Sequence, residues 1–268
     1  MKVIRSGYYR YLKSVKRVRA DRKLRLLVEI KALHNQSDKS YGSRRMSKAL
    51  RAKGYEVGRF KARHLMREAK IACKQRRRFK VTTQSNPLLP VAENRLNRAF
   101  TVSRPNRVWV ADITYLWTQE GWLYLAAVLD LFSRRIVGWA LEEHMREDLV
   151  SHALTMAIKE RRPYVELTHH SDRGSQYASA HYQALLRQSG MIVSMSRKGN
   201  CWDNAVMERF FGSLKTERTD RKKYLSRAHA KADVIDYIEN FYNRERLHST
   251  LNYMSPVQYE KINWSLFN

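Results

Sequence analysis

Residues 108–141 read VWVADITYLWTQEGWLYLAAVLDLFSRRIVGWAL and carry the strongest strand pattern in the chain. The first part, 108–117, alternates around Asp112, the middle part, 122–132, is almost continuously apolar, and 136–141 is a third apolar run. Alternation with period two is typical of a half-buried strand, and a continuous apolar run of a buried one. We therefore predict an antiparallel meander of three strands whose middle strand is buried.

Downstream of the meander, helical and strand-like segments follow one another. Three strands followed by alternating helices and strands are typical of an α/β sheet of about five strands with flanking helices. The predicted segments are helix 148–161, strand 165–170, helix 179–189, strand 191–195, and helices 203–219 and 227–246.

Upstream of the meander, the chain is helical and then irregular. Apolar residues recur at helical spacing over 21–36, and two shorter helices, 44–53 and 59–69, are separated by a segment that contains Gly54. Two short helices joined by a glycine-containing turn are typical of a helix-turn-helix, whose second helix enters the major groove of DNA. A helical hairpin with a basic surface has the same pattern. Residues 81–107 hold three of the five prolines, which indicates a linker.

Positive charge is concentrated in the first two-fifths of the chain. The whole chain has 52 Lys+Arg against 25 Asp+Glu, and residues 1–104 account for 30 and 6 of these, a net of +24. Such a field attracts nucleic acid, whereas a membrane surface or a merely solvated face is the alternative. The candidate DNA contacts here are Arg44, Arg45, Arg59, Lys61, Arg63, Arg76, Arg77 and Arg78.

Several other classes of protein are disfavoured. The longest run without a charged residue is thirteen, too short to span a membrane, and the first residues contain no apolar secretory signal. The two cysteines, Cys73 and Cys201, cannot build a disulfide scaffold, and with His169 and His170 they make a poor zinc site. We therefore expect a soluble intracellular protein that holds no zinc.

Three carboxylates occupy positions where a surface charge is not expected. Asp112 lies inside an apolar strand, Asp172 follows a strand and precedes Gly174, and Glu208 borders the apolar face of a helix. A carboxylate in such surroundings is costly unless it binds a cation or hydrogen-bond donors. Three acids of this kind suit two Mg²⁺ or Mn²⁺ ions, which support phosphodiester chemistry. Because any chain contains many triples of acids, their spacing alone leaves this open.

Other polar and aromatic residues have structural interpretations. We expect Asp130 to make a turn or a salt bridge with Arg134 or Arg135 rather than to bind a metal ion. Asp203 is expected to cap the helix that follows it. The tryptophans expected in the core are Trp109, Trp122 and Trp139.

Three motifs in this order resemble the catalytic segments of insertion-sequence transposases with a retroviral-integrase-type core. They are WVADITY at 109–115, HSDRGSQY at 170–177 and NCWDNA at 200–205 with ERFF directly after Met207. The 35 residues between Asp172 and Glu208 match the DD-35-E spacing of the family. FYNR at 241–244 and YGSRR at 41–45 resemble its C-terminal and N-terminal signatures.

The resemblance implies a ribonuclease-H-like core that cleaves DNA and transfers strands. It implies that Asp112, Asp172 and Glu208 hold Mg²⁺, for which Mn²⁺ substitutes, and that water or a DNA 3′-hydroxyl is the nucleophile, without a covalent intermediate. Lys215, two turns beyond Glu208, would contact DNA near the cut. The fold expected is therefore α/β, with a helix-turn-helix-like region before the catalytic core.

The same resemblance suggests how the chain is organised. We expect a DNA-binding region over 1–73, a linker over 74–104, the catalytic core over 105–225, and a C-terminal helix and tail over 226–268.

The resemblance also suggests partners. Family members of this kind are second-reading-frame (OrfB) products, so we expect an OrfA or OrfAB fusion partner, multimers on DNA, and a location at the nucleoid in the bacterial cytoplasm. A DNA-binding accessory subunit that is inactive without OrfA and a plain nuclease of the same fold are the alternatives.

Overall fold

The computed structural model describes residues 4–74, 92–163, 166–197 and 201–264. The chain divides into two compact units between residues 75 and 76. Among the described helices, none combines the length and the apolar character that a membrane crossing requires. The predicted DNA contacts Arg76, Arg77 and Arg78 lie outside the described residues.

The N-terminal unit consists of three helices: α1 (Arg5–Gln36), α2 (Ser43–Ala52) and α3 (Arg59–Glu68). α1 begins sixteen residues before the predicted start (21 − 5 = 16). Its buried residues, which include Leu26 and Ile30, all lie in its C-terminal part. The first half has no apolar stripe for a periodicity argument to detect, although its lysines and arginines are good helix formers.

The turn between α2 and α3 is held by side chains. Val57 is buried in this turn, and its carbonyl oxygen accepts hydrogen bonds from Ser47 Oγ at 2.7 Å and from Arg51 Nε at 3.2 Å. Gly54 has a φ of +84°, a conformation that suits glycine. The predicted pair of short helices joined by a glycine-containing turn is confirmed.

The second unit is built on one five-stranded mixed sheet. Its strands are β1 (Val108–Thr118), β2 (Gly121–Asp130), β3 (Ile136–Glu142), β4 (Thr168–Ser171) and β5 (Ile192–Met195). Their spatial order is β3-β2-β1-β4-β5. The first three strands pair antiparallel, and β4 is parallel to both β1 and β5. The predicted meander and the predicted sheet of about five strands are therefore confirmed.

Helices flank this sheet, and two of the predicted long helices change type along their length. The helix predicted over 203–219 is a 3₁₀ turn (Cys201–Asn204), then an α-helix (Ala205–Leu214), then a π-helical segment (Lys215–Thr219). The helix predicted over 227–246 is an α-helix (Arg227–Asp236) followed by a π-helical segment (Tyr237–Tyr242). The α-helices of this unit are α4 (Glu147–Arg161), α5 (Ala180–Gln188), α6 (Ala205–Leu214), α7 (Arg227–Asp236) and α8 (Pro256–Trp264).

One face of the sheet is covered by α4 and α5. The apolar core there includes Trp109 of β1, Leu149 and Leu154 of α4, and Tyr182 of α5, all almost fully buried. β3 approaches α4 very closely at Gly138, where an added Cβ would lie 2.2 Å from the carbonyl oxygen of Ala153. Glycine is therefore required at this crossing.

A buried ion pair connects the C-terminal region to the helix that carries Glu208. Arg246 donates to both carboxylate oxygens of Glu217, each at 2.7 Å, and Glu217 also accepts from Tyr237 Oη at 2.8 Å. Asn243 bonds the backbone N–H and the carbonyl of Ile136 through its side-chain amide, each at 3.0 Å. Arg246, together with Asn243 of the C-terminal signature, therefore braces the core.

One prediction about the core is wrong and another is confirmed in part. Asp130 is fully buried and belongs to a turn, as predicted, in which its carbonyl oxygen accepts the N–H of Arg134 at 2.8 Å. Its ion-pair partner is Arg161, at 3.2 Å, instead of the predicted Arg134 or Arg135. Its carboxylate also accepts the N–H groups of Asn106 and Phe132. Trp122 is exposed, whereas Trp109 is buried as predicted and Trp139 is half-buried, with its Nε1 donating to Glu239 at 2.7 Å.

Candidate active site

Asp112 and Asp172 lie side by side on neighbouring strands. β1 and β4 run parallel, and their last paired residues are Val110 and His170. Asp112 and Asp172 each follow two residues later, at the point where β4 has ended. The parallel register therefore brings the two carboxylates together at one edge of β1.

Backbone N–H groups orient both carboxylates. Asp112 Oδ1 accepts the N–H of Ile113 at 2.8 Å, and Asp172 Oδ1 accepts the N–H of Gly174 at 2.9 Å. A Cβ on Gly174 would lie 3.0 Å from Asp172 Oδ1, so the glycine leaves room for this turn. Each carboxylate keeps oxygen lone pairs available for a ligand.

The two aspartates are electrostatically unfavourable as they stand. Burial, together with the negative charges of Asp172 and Glu208, raises the pKa of Asp112 well above its ordinary value, against a smaller opposing effect of the Ile113 N–H. Burial also raises the pKa of Asp172, although the Gly174 N–H lowers it in part. A cation bound between these groups would relieve this cost.

Glu208 lies on α6, which positions it at the site. This helix buries Met207 and Phe210 against the core, and Glu208 lies on its exposed side. Asn204, at the start of α6, donates from Nδ2 to the carbonyl oxygen of Ala111 at 3.3 Å. That bond fastens α6 to β1 one residue before Asp112. Over the described residues, no three acidic, histidine or cysteine side chains already form a closed metal cluster.

Lys215 brings a positive charge to the same place. Its Nζ lies 5.0 Å from the ring centroid of Tyr115, and its charge lowers the pKa of Asp112. Burial lowers the pKa of Lys215 itself. Lys215 begins the π-helical segment after α6, which is the position that the resemblance indicated for a DNA contact.

Tyr177 belongs to this site, although no role for it was predicted from the sequence. Its side chain is 2% exposed, and its hydroxyl has no hydrogen-bond partner within the described parts of the chain. Burial raises the pKa of Tyr177, and the charges of Asp112 and Asp172 add to that effect. Its place in the HSDRGSQY motif was the available signal, but only the fold brings its ring beside both carboxylates.

Asp203 is not the predicted helix cap. The residue that caps α6 is Asn204, and Asp203 is fully buried in an ion-pair cluster. Its carboxylate accepts from Arg197 and Arg98, each at 3.2 Å, and from Asn94 Nδ2 at 2.8 Å. Burial raises the pKa of Asp203, but the hydrogen bonds from Arg197 outweigh it and lower the pKa to about 2.

The two histidines before Asp172 make structural hydrogen bonds. His170 bonds Ser194 Oγ through Nδ1 at 2.8 Å and Ser196 Oγ through Nε2 at 3.1 Å. His169 Nε2 lies 3.0 Å from Tyr182 Oη. Burial lowers the pKa of both imidazoles, to about 4 for His170 and about 3 for His169. They join β4 to β5 and α5.

The described basic candidates of the N-terminal unit lie on α2 and α3. Arg59, Lys61 and Arg63 are exposed on α3, beside Phe60, which is 80% exposed. The same surface type continues on α2, where Arg44 is exposed and Arg45 is half-buried with its guanidinium 5.8 Å from the ring of Tyr41.

Comparison with known families agrees with both units. An HTH-like domain family matches residues 21–79, and two Integrase core domain families match residues 102–201 and 208–263. The simian T-cell lymphotropic virus intasome, solved in complex with PP2A regulatory subunit B56 gamma, has a TM-score of 0.50 at 15% identity. The alignment covers 85% of this chain and 73% of that chain, and it concerns the fold alone. The predicted ribonuclease-H-like fold with an N-terminal helical region is confirmed.

The fold and these matches define a DNA transposase with an integrase-type catalytic core, an enzyme of the polynucleotidyl transferase class. The chain is 46% identical to the insertion element IS600 uncharacterized 31 kDa protein of Shigella sonnei, over 97% of this chain and 95% of that protein. It is 40% identical to transposase InsF for insertion sequence IS3A of Escherichia coli (strain K12), over 98% and 92% respectively. The chain belongs to the insertion-sequence transposase family that includes InsF.

Proposed function

We propose that this transposase cuts DNA at the ends of an insertion sequence and joins those ends to a target, using Asp112, Asp172 and Glu208 to hold divalent metal ions. The observation that carries this proposal is the placement of the half-buried Asp112 and Asp172 side by side through the parallel register of β1 and β4, with Glu208 and Lys215 acting electrostatically on Asp112. Three acids and one lysine converge where a DNA phosphate would be bound.

The donor set fits Mg²⁺. Every candidate ligand is a carboxylate oxygen, which hard cations prefer, and Mn²⁺ accepts the same ligands. The raised pKa values of Asp112 and Asp172 indicate a site that lacks balancing positive charge. Bound divalent ions supply that charge, and they assist both the attacking and the leaving oxygen in phosphodiester chemistry.

The other residues of the site position the reactants. Lys215 is suited to hold a DNA phosphate, since its ammonium lies over Tyr115 and within electrostatic reach of Asp112. Asn204 fixes α6, and with it Glu208, relative to β1. Water, or a DNA 3′-hydroxyl, attacks phosphorus directly; the new oxygen–phosphorus bond replaces the one to the leaving oxygen, which takes up a proton.

DNA is held by more than the catalytic site. We assign DNA binding to residues 1–73, including the exposed cations of α2 and α3, and a linker role to 74–104 with Arg76, Arg77 and Arg78. Residues 105–225 perform catalysis, and 226–268 brace the core. Because two element ends must be joined together, we propose a multimer on DNA at the nucleoid in the cytoplasm, with an OrfA or OrfAB partner.

A strand-transfer assay tests this function. The purified chain is incubated with labelled duplexes that carry the element ends, in Mg²⁺, in Mn²⁺ or in EDTA. Wild type is compared with Asp172→Asn and Glu208→Gln. Glu147→Gln is the matched control, because Glu147 is also an exposed glutamate in the first turn of a helix.

We expect metal-dependent joined products from wild type and Glu147→Gln, and none from the other two variants. Joining in EDTA, or joining by Asp172→Asn, would contradict the proposal. Cutting without joining would favour a plain nuclease. DNA binding without products, rescued by an OrfAB fusion, would identify the chain as the catalytic part of a two-component enzyme.

A further inference from the structure

Three aromatic side chains form an exposed cluster on the β1–β2 hairpin. Trp117, Trp122 and Tyr115 are 60%, 44% and 38% exposed. Trp122 packs edge to face against both others, with ring centroids 5.0 Å from Tyr115 and 4.8 Å from Trp117. Exposed aromatic groups of this size commonly mark an interaction site. We call these three residues the hairpin cluster.

Two residues of the hairpin cluster, Tyr115 and Trp117, lie on the same strand as Asp112, and Trp122 lies on the paired strand β2. Tyr115 is three residues beyond Asp112, and Trp117 is five residues beyond it, along β1. At roughly 3.3 Å per residue these steps correspond to about 10 and 17 Å. One strand of DNA advances about 3.4 Å per nucleotide. Because side chains along a strand alternate between its two faces, Tyr115 and Trp117 point to the face opposite Asp112. Measured along β1, the cluster is about the length of three to five nucleotides from Asp112, and a strand bound at Asp112 would cross the edge of β1 to reach it.

The charge beside the hairpin cluster favours a polyanion. Lys215 Nζ lies 5.0 Å from the ring centroid of Tyr115, and the same ammonium acts on Asp112. Lys215 thus links the cluster to the catalytic carboxylates. On the other side of the cluster, Arg227 donates to the carbonyl oxygen of Trp122 at 3.2 Å and pairs with Glu143 at 2.8 Å.

We propose that the hairpin cluster stacks unpaired bases of the DNA strand held at the catalytic acids, while Lys215 contacts that strand's backbone. Aromatic side chains beside a cation are the usual means of binding single-stranded DNA without regard to sequence, because every base has a π-face. This inference rests on the proposed function, and it adds a site for the unpaired strand next to the cut.

Binding to two DNA ends tests the inference. One duplex end is fully paired, and the other has its last five nucleotides unpaired, with 2-aminopurine at the fourth position. Kd values are measured for the full chain in EDTA, which prevents cleavage. We expect wild type to prefer the unpaired end and to quench the 2-aminopurine fluorescence by stacking.

The double variant Trp117→Ala/Trp122→Ala should lose roughly 5- to 150-fold of that preference, together with the quenching. The variant Trp117→Phe should keep much of both, since it retains an aromatic ring. Ile262→Ala, which trims another exposed apolar side chain of the same unit, should change neither. Circular dichroism verifies that each variant is folded.

Several outcomes overturn the inference: no preference in wild type, unchanged preference and quenching in the double variant, or equal weakening for both ends. The last result would indicate a general docking surface. The strand-transfer variant Asp172→Asn separates this inference from the proposed function. It should keep the preference for the unpaired end although it joins nothing, so catalysis and base stacking fail or succeed independently.

Discussion

Asp112 and Asp172, the proposed metal ligands, lower the stability of the folded chain when they are ionised and no cation is bound. Both carboxylates are half-buried by the fold, and each accepts one short backbone hydrogen bond. Their raised pKa values mean that the ionised forms cost free energy in the folded chain. An asparagine at either position removes charge from the same space.

Asp112→Asn is therefore expected to raise the free energy of unfolding in EDTA at pH 8. The cost it removes exists wherever Asp112 is ionised in the unfolded chain, and it is largest above the raised folded pKa. The gain should shrink as pH falls through the raised folded pKa, and vanish near the ordinary value of about 4. Urea unfolding at pH 8 and at lower pH measures this. A variant less stable than wild type at pH 8 would contradict it.

Mg²⁺ supplies a companion measurement on the same two proteins. Saturating Mg²⁺ should raise the melting temperature of wild type, because it binds the folded state, and should have little effect on Asp112→Asn. An equal shift in both proteins would place the bound ion elsewhere.

Tyr177 and Tyr182 form a matched pair with opposite expectations. Both are almost fully buried and lie in edge-to-face contact at 5.4 Å, but only Tyr182 has a hydrogen bond, to His169. Tyr177→Phe should stabilise the fold by about 1–3 kcal/mol, since it removes an unpaired buried hydroxyl. Tyr182→Phe should destabilise it by about 1–3 kcal/mol, because His169 loses its partner. Urea titration checks both signs, and a loss of stability in Tyr177→Phe would indicate a bound partner for its hydroxyl.

At the scale of elements, β3 and α4 cross very closely at Gly138. Gly138→Ala would place a methyl group against the Ala153 carbonyl oxygen and Ala157. We expect a loss of about 1–3 kcal/mol or more. Tryptophan fluorescence follows this unfolding, because every tryptophan lies beyond residue 108. Gly7→Ala, in α1 with open space around it, should leave that transition unmoved.

The buried ion pair between Arg246 and Glu217 allows a similar comparison. Arg246→Ala leaves Glu217 as a buried charge without its cation and should cost about 3–5 kcal/mol. Arg244→Ala removes an exposed arginine two residues before Arg246 and should cost under about 0.5 kcal/mol. Equal effects of the two changes would mean that the ion pair does not stabilise the brace.

At the scale of the whole molecule, the two units differ in charge and in task. Residues 1–104 carry +24 of the net +27, whereas the rest of the chain is nearly neutral and contains Asp112, Asp172 and Glu208, the proposed metal ligands. We infer that non-specific affinity comes mainly from the basic N-terminal part, and that the catalytic unit adds its affinity when metal ions are bound.

Salt dependence of DNA binding tests this division. Replacing Arg59, Lys61 and Arg63 by glutamine should reduce the slope of log K against log salt by up to about 2.7, at about 0.9 for each lost phosphate contact. Replacing Lys159 and Arg187, two exposed cations of the catalytic unit, should change the slope little. Titrations at four salt concentrations measure both, and equal slopes in wild type and the triple variant would contradict the assignment.

Sequence alone determined the elements whose signal is local. Period-two alternation around Asp112 and the apolar run after it are properties of neighbouring residues, so three strands and their antiparallel order followed directly. The motifs around Asp112, Asp172 and Glu208 identified the candidate acids for the same reason, since each motif is continuous in the chain.

Only the tertiary structure decided which distant groups meet. The partners of Asp203 include Arg98, which is 105 residues away in the chain. The ion-pair partner of Asp130 is Arg161, 31 residues away, instead of the adjacent Arg134 or Arg135. The exposure of Trp122 and the burial of the Tyr177 hydroxyl beside two carboxylates depend on how strands and helices pack. Burial and ion pairing are properties of contacts across the fold, and periodicity along the chain carries no information about them.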